Sequence, residues 1–416
     1  MRACDLFCGA GGSACGLRAA GFEVALGMDN DAGALGVYGH NALQMNLGDV
    51  EGAVRAIRAV GPIQLLAGSP PCTDFSSAGD RVERETHAGL TVAFAQVAVA
   101  VRVRCVMLEN VPQLLSSRAW AEAKEVLVGA GYTLLVLRIN AAACGVAQER
   151  RRVFVIGMLG GSEEAMRRVQ CVASEYNRTP SDAPTVRDCL TDPSVDLYWY
   201  GGRNLLSPCV RSTDEPAPTL RTNCLSVPPA HYSARHDDAG PVKRAHVLSV
   251  AEAAAIASFP PRYFEGVSRT AAARYIGNCV PPRMAERVAR WCVELLSQPI
   301  VPTPAKYIVS ARRQCHRTSR LQRLVDAGLL RAGGTIDQAT LRYTGGGKGD
   351  GIVSAVLGAS LPRGCVLSLT LRQTPSVSQG QAPLDDLHLY LPGHAQPFRS
   401  FRQLSRSVDH STNPHT

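Results

Sequence analysis

No apolar run in this 416-residue chain reaches the roughly 18 to 20 residues that cross a bilayer, so no membrane-spanning helix and no membrane partner is expected. The start, Met1-Arg2-Ala3-Cys4-Asp5, enters a strand at once and lacks a signal-peptide layout, so a cytoplasmic location is expected. None of the 14 cysteines forms a Cys-x-x-Cys pair. Scattered through a chain too long to need staples, they read as reduced thiols, and no metal is expected. Glutamate is missing from Ile300 onward, where 14 Lys and Arg face 6 Asp, a net +8 out of +9 for the whole chain. The excess charge therefore sits almost wholly in the last segment. It fits a polyanion partner there or a soluble basic surface, and charge alone does not separate these. What is present is globular: 45% hydrophobic against 19% charged residues excludes a disordered chain, and the length suits two or three domains.

The organising stretch is Leu65-Leu66-Ala67-Gly68-Ser69-Pro70-Pro71-Cys72-Thr73-Asp74-Phe75-Ser76. Residues 63–67 read as a short buried strand that the two prolines must end. Cys72 then stands on a stiff loop at a strand's carboxyl end, where open α/β sheets bind ligands. The bland alternative is a buried structural thiol. Other strand ends carry chemistry as well. Residues 3–7 form a strand that runs into Cys8-Gly9-Ala10-Gly11-Gly12 and a helix over 13–20, a layout that brings backbone close to a ligand. The turn departs from G-x-G-x-x-G and no P-loop lysine follows it, so phosphate is not its clear target. A second strand, 24–28, ends at Asp29, placed for a ribose diol. Gly48-Asp49-Val50 ends a third segment and suits an adenine edge. Strand 104–108 delivers Glu109-Asn110-Val111, an acid whose burial must be compensated. Residues 133–139 and 153–157 pair around Gln148-Glu149-Arg150-Arg151-Arg152, with Gln148, Arg150 and Arg152 sharing a face.

These blocks, in this order, resemble the DNA cytosine 5-methyltransferases. The carriers are Asp5-Leu6-Phe7-Cys8-Gly9-Ala10-Gly11-Gly12, Pro70-Pro71-Cys72 with Phe75-Ser76, Glu109-Asn110-Val111 and Gln148-x-Arg150-x-Arg152. Two closing blocks follow, Leu248 to Ala254 with Phe259-Pro260, and Tyr275-Ile276-Gly277-Asn278-Cys279-Val280-Pro281-Pro282. The chain departs from the family at Thr73, where Gln is usual. It departs again at Ala255 and Ser258, where an Arg and the Gly of Gly-Phe-Pro are usual.

The resemblance implies an α/β fold: a Rossmann-like S-adenosylmethionine-dependent sheet with helices on both faces and a small target-recognition domain. It sets a catalytic and cofactor-binding domain at 1–158, target recognition at 159–243 and closing blocks at 244–297; residues 298–416, outside the resemblance, read as a basic α+β C-terminal extension of no recognised family. It gives Cys72 the attack on cytosine carbon 6, activated by nearby arginines. Glu109 would hold N3 and the exocyclic amine, and Arg152 with Arg150 the ring O2 and developing charge. Phe7, Gly9, Ala10, Gly11, Gly12, Asp29, Asn30, Asp49, Val50, Pro71, Asn278 and Val280 would bind S-adenosylmethionine. Double-stranded DNA is the implied substrate, its cytosine flipped out of the stack. A restriction-modification or phage self-protection role, a cognate restriction endonuclease and a monomeric state are also implied.

Tyr198-Trp199-Tyr200-Gly201-Gly202-Arg203-Asn204 falls in the target-recognition region and reads as base contact ahead of core. Residues 282–296 form an amphipathic helix through Met284, Val288, Trp291 and Leu295, and Pro299, Pro302 and Pro304 mark a linker. Beyond it, a helix over 321–330 and strands over 340–343, 352–357 and 366–371 suit a small DNA-binding module or a partner-binding domain, with a disordered tail past Arg399. Two rival functions stand beside the main one: a tRNA cytosine methyltransferase, and an inactive DNA-binding subunit.

Overall fold

The computed structural model describes residues 1–39, 41–71, 85–201, 209–232 and 235–300, together with five strands beyond them. The chain divides into two compact units, Met1–Arg313 and Gln314–Thr416.

The first unit is built on an eight-stranded sheet. In chain order its main elements are β1 (Arg2–Leu6), α1 (Gly12–Ala19), β2 (Glu23–Asp29), α2 (Ala32–Tyr38), β3 (Ala42–Gln44), α3 (Val50–Ala59), β4 (Leu65–Gly68), α4 (Glu85–Val101), β5 (Cys105–Asn110), α5 (Arg118–Gly129), β6 (Tyr132–Asn140), β7 (Gln148–Glu149), β8 (Arg151–Leu159) and α6 (Glu163–Ala173). There follow β9 (Leu197–Trp199), β10 (Val210–Ser212), β11 (Ala217–Pro218), α7 (Val250–Ile256), α8 (Arg269–Asn278), α9 (Pro282–Leu296) and β12 (Tyr307–Val309). The strand order is β12-β6-β8-β5-β4-β1-β2-β3. Every neighbouring pair is parallel except β8, which runs against both β5 and β6. The order reverses between β1 and β4, which is where doubly wound sheets bind ligands.

Near-continuous apolar strands are what a sheet covered on both faces requires. Along β6 and β8 alternate residues divide cleanly. Leu135, Leu137, Phe154 and Ile156 pack with Leu17, Met166, Met284 and Trp291 of α1, α6 and α9. Leu134, Val136, Val153 and Val155 pack with Val54, Phe94, Trp120 and Leu127 of α3, α4 and α5. Each such fully buried side chain stabilises the fold by roughly 1.5–3 kcal/mol. The amphipathic helix expected at 282–296 is α9, with Met284, Val288, Trp291 and Leu295 all buried. Strand β12 joins the main sheet beside β6, where the sequence suggested only a linker.

A third cluster unites α7 and α8 with Val186, Tyr198, Tyr200 and Leu220. Here one expectation is corrected: Tyr198, Trp199 and Tyr200 are 1%, 2% and 6% exposed, so the run is core and not a base-contacting surface. The physical reason is the β9–β10 antiparallel pair, which buries both faces of so short a ribbon. Trp199 Nε1 donates to Ser226 Oγ and the Tyr200 hydroxyl to the Thr219 carbonyl, so their polar tips are satisfied inside.

The second unit carries β13 (Thr340–Gly345), β14 (Gly351–Val356), β15 (Ser368–Leu371) and β16 (Leu387–Tyr390) in one antiparallel sheet of that order. The fourth strand had no counterpart in the sequence reading. The helix expected over 321–330 and the tail past Arg399 lie outside the described residues. Among the described residues no helix is long and apolar enough to cross a membrane.

Candidate active site

Parallel pairing fixes where the chemistry-bearing segments emerge. Leu6 lies opposite Met28 on one side and Gly68 on the other, and Gly68 lies opposite Leu108. Segments 7–12, 29–31, 69–71 and 109–111 therefore leave the sheet along a single edge. Cys72 follows Pro71 in the chain and lies, with Thr73 to Ser76, outside the described residues.

At the β1–β2 end the backbone is tightly specified. Phe7 takes φ 55 and Gly9 φ 51, left-handed values that reverse the chain within a few residues. Asp29 holds this turn: one carboxylate oxygen accepts from Gly9 N at 2.8 Å and the other from Asp31 N at 2.9 Å. Space stands open where a Cβ on Gly9 would be. Beneath, Asp5 is 1% exposed and both its carboxylate oxygens lack a hydrogen-bond partner. Burial and the neighbouring Asp29 push its carboxyl up to about 7, against the pull of Ser13 and Arg18. Asn30 is exposed, and Asp49 is spent partly on capping α3, accepting from Gly52 N at 2.9 Å, with Val50 opening that helix. Asn278, also exposed, ends α8, and the Val280 carbonyl reaches the turn: a Cβ on Gly12 would stand 2.3 Å from it.

At the β5–β8 end a charged pair is buried. Because β8 runs against β5, with Asn110 opposite Val153, its first residues start where β5 finishes. Arg152 Nε stands 3.1 Å from Glu109 Oε1, both side chains mostly enclosed. Burial raises the Glu109 carboxyl above its ordinary value, while Arg152, Arg150 and Ser69 pull the other way. Asn110, to which the sequence assigned no role, anchors the loop that carries the cysteine: its Nδ2 donates to Pro70 O at 3.0 Å.

Arg150 is 3% exposed and donates to the Leu220 and Gly277 carbonyls at 3.1–3.2 Å. Gln148 accepts from Leu220 N at 3.0 Å. Both side chains share one buried face, as alternation required; both hold Leu220, and Arg150 also ties Gly277 of the closing block to the start of β8. Gly277 is needed there, since a Cβ would sit 2.4 Å from the backbone of Arg221 and Thr222. Cys279 follows the same helix end, and burial pushes its thiol up to about 11 against the charges of Arg150 and Arg152. It stays a protonated thiol at neutral pH.

A model of the C-5 cytosine-specific DNA methylases matches residues 1–217 and 201–294. The chain belongs to this family. Type II methyltransferase M.HgiDI of Herpetosiphon aurantiacus is 34% identical over 304 residues, which cover 72% of this chain and 96% of that protein. Type II methyltransferase M.HindV of Haemophilus influenzae is 32% identical over 308 residues, covering 72% and 99%. Among solved structures, the S. pombe Dnmt2 methyltransferase shares the fold with a TM-score of 0.52 at 18% identity, covering 71% of this chain and 98% of that one. The protein is thus a DNA cytosine-5 methyltransferase that uses S-adenosylmethionine as methyl donor. Residues 295–416 lie beyond the family match.

Proposed function

We propose that this methyltransferase works through a covalent Cys72 adduct on a cytosine flipped from duplex DNA, with Glu109 as proton donor and Arg152 as its electrostatic partner. The buried Glu109–Arg152 pair, beside a Pro70 carbonyl held by Asn110, carries this reading. Burial shifts the Glu109 carboxyl toward its protonated form, the form that would place a proton on cytosine N3 as the thiolate adds to carbon 6. Carbon 5 then becomes enamine-like and nucleophilic, and loss of its proton later lets Cys72 leave. Arg152 and the clamped Arg150 supply fixed positive charge near the developing negative charge.

The methyl donor fits the other end of the same edge. Turn 7–12 offers open backbone at Gly9, and the Asp29 carboxylate beside it suits a cationic donor. Phe7, Gly9, Ala10, Gly11 and Gly12 would line the donor, with Asp29, Asn30, Asp49 and Val50 at its nucleoside, and Pro71, Asn278 and Val280 at its methionine part. S-adenosylmethionine supplies an electrophilic methyl group on sulfonium.

Residues 159–243 serve target recognition in this reading, and the basic segment after residue 298 adds a DNA contact through its +8 charge. The Type II relatives support a modification role; a cognate endonuclease, a cytoplasmic location and a monomeric state belong to the same proposal. Transfer of a tritiated methyl group from S-adenosylmethionine to unmethylated genomic DNA, run beside tRNA and beside Cys72→Ala, tests the whole. Label in DNA that disappears with the substitution supports it. Label in tRNA instead, or label that persists in Cys72→Ala, ends it.

A further inference from the structure

Several backbone groups of the glycine turn have identified partners, and one of these comes from far away. Gly9 N is held by Asp29, Gly11 N by the Cys8 carbonyl at 2.9 Å, and the Gly11 carbonyl by Cys15 N at 2.9 Å. The Ala10 carbonyl accepts from the Tyr263 hydroxyl at 2.7 Å, across 253 residues of chain. Tyr263 also presses on the turn from outside. A Cβ on Gly11 would stand 2.6 Å from its hydroxyl and 2.9 Å from the Tyr38 ring, so the turn is gripped between two tyrosines.

The segment that presents Tyr263 is unusually specified. Between α7 and α8 two non-glycine residues take left-handed backbone, Ser258 at φ 65 and Arg262 at φ 62. Such conformations persist where surrounding contacts over-determine them. Those contacts are aromatic: the Tyr263 ring centroid lies 4.8 Å from Phe259 and 5.2 Å from Phe264, and Phe259 lies 4.8 Å from Phe264. Phe259 also reaches the turn, with its Cζ 3.3 Å from where a Cβ on Gly12 would be. Ordered aromatics and a single directed hydroxyl thus connect the small cluster of α7 and α8 to the donor end of the sheet.

We propose that Tyr263 is a positioning residue for the methyl-donor site. It fixes the Ala10 peptide, so affinity for S-adenosylmethionine depends on the segment between α7 and α8. The proposal rests on the reading that turn 7–12 holds the donor. Without the hydroxyl, the Ala10 carbonyl turns to water and the turn loses its outer restraint, while the cytosine end keeps Asn110, Glu109 and Arg152 unchanged.

Calorimetric titration of S-adenosylmethionine into the full chain, as wild type, Tyr263→Phe and Phe7→Ala, tests this. One neutral hydrogen bond predicts donor binding about fivefold to tenfold weaker in Tyr263→Phe. The Michaelis constant for DNA should stay within about twofold, a split that general destabilisation would not give. Hydrogen exchange at residues 8–13 should quicken in that variant with other sheet amides unaffected. Donor binding unchanged in Tyr263→Phe, or donor and DNA constants rising together, overturns the proposal. If Phe7→Ala also binds as wild type, the turn is not the donor site and both readings fall. If Phe7→Ala alone loses binding, only the role of Tyr263 falls.

Discussion

The sheet edge and the small region over 159–243, proposed above for target recognition, are held by opposite means. At the edge, four parallel strands end together, and the register of a buried sheet sets every functional position to within a residue. In that region β9 and β10 are three residues long, and a single carboxylate ties the start of β10 to Tyr232 and Arg235. Asp238 accepts from Cys209 N, Val210 N and Arg235 N at 2.9–3.0 Å and from the Tyr232 hydroxyl at 2.6 Å. Chemistry that must stay constant sits where packing over-determines geometry. In the reading proposed above, the surface that reads sequence would sit on loops pinned at a few points, which can change length and composition without disturbing the sheet.

The largest expected effect is at the edge. Glu109→Gln keeps the shape and a hydrogen bond to the base but removes the proton donor, and should lower kcat by about 10²- to 10⁴-fold. DNA and donor binding should hold. In the wild type the rate should fall as pH rises through the raised pKa of Glu109, because the protonated form acts, and this limb should vanish in the variant. A variant that retains both rate and pH limb would remove Glu109 from the mechanism.

Arg150 joins the two regions, so its loss should blur the contrast. Arg150→Ala leaves the Leu220 and Gly277 carbonyls unpaired inside the protein. That should destabilise by about 3 kcal/mol in urea unfolding, with both Michaelis constants raised. A change confined to kcat would mean that its charge matters and its clamp does not.

Asp238→Ala should act on one side only. Four donors lose their acceptor, and a loss of about 2 kcal/mol is expected. The hydrogen bonds from Arg235 N, Tyr232, Val210 N and Cys209 N hold the Asp238 carboxyl below the ordinary value despite the cost of its burial. This part of the stability is therefore present at neutral pH and lost as pH falls through the depressed value. The Michaelis constant for DNA should rise while donor affinity stays put. If donor affinity falls equally, the two regions are not independently built.

The edge was far more legible in the sequence than the region beside it. Apolar runs bounded by Gly, Pro or an acid mark buried parallel strands, and their ends mark the site, so Asp29, Glu109 and Pro71 could be placed from pattern. Alternation also put Gln148 and Arg150 on one face. It could not say that Arg150 spends its donors on backbone carbonyls, because those come from residues 70 and 127 positions away. The buried Tyr198-Trp199-Tyr200 run was misread for a related reason: a three-residue strand gives too little periodicity to tell core from surface. Asp238 and Tyr263 gave no signal, since one carboxylate among polar residues and one tyrosine after two prolines look ordinary until the fold supplies their partners.

The smallest effect concerns a departure that the sequence did show. Ser258 stands where the family usually has glycine, and the reason for that glycine is visible: α7 ends in a Schellman motif. Ser258 N donates to the Ala255 carbonyl at 2.8 Å and Phe259 N to the Ala254 carbonyl at 2.9 Å, with Ser258 itself at φ 65. A left-handed serine costs about 1 kcal/mol relative to glycine. Its hydroxyl offsets part of this by accepting from Arg283 N, at the start of α9, at 3.2 Å. Glycine would relieve the strain, lose that bond and gain entropy in the unfolded chain. Ser258→Gly should therefore shift stability by less than about 0.5 kcal/mol, read as a small change in urea midpoint at constant slope. A loss well above 1 kcal/mol would show that the Ser258–Arg283 bond, and not the helix terminus, now fixes the segment that carries Tyr263.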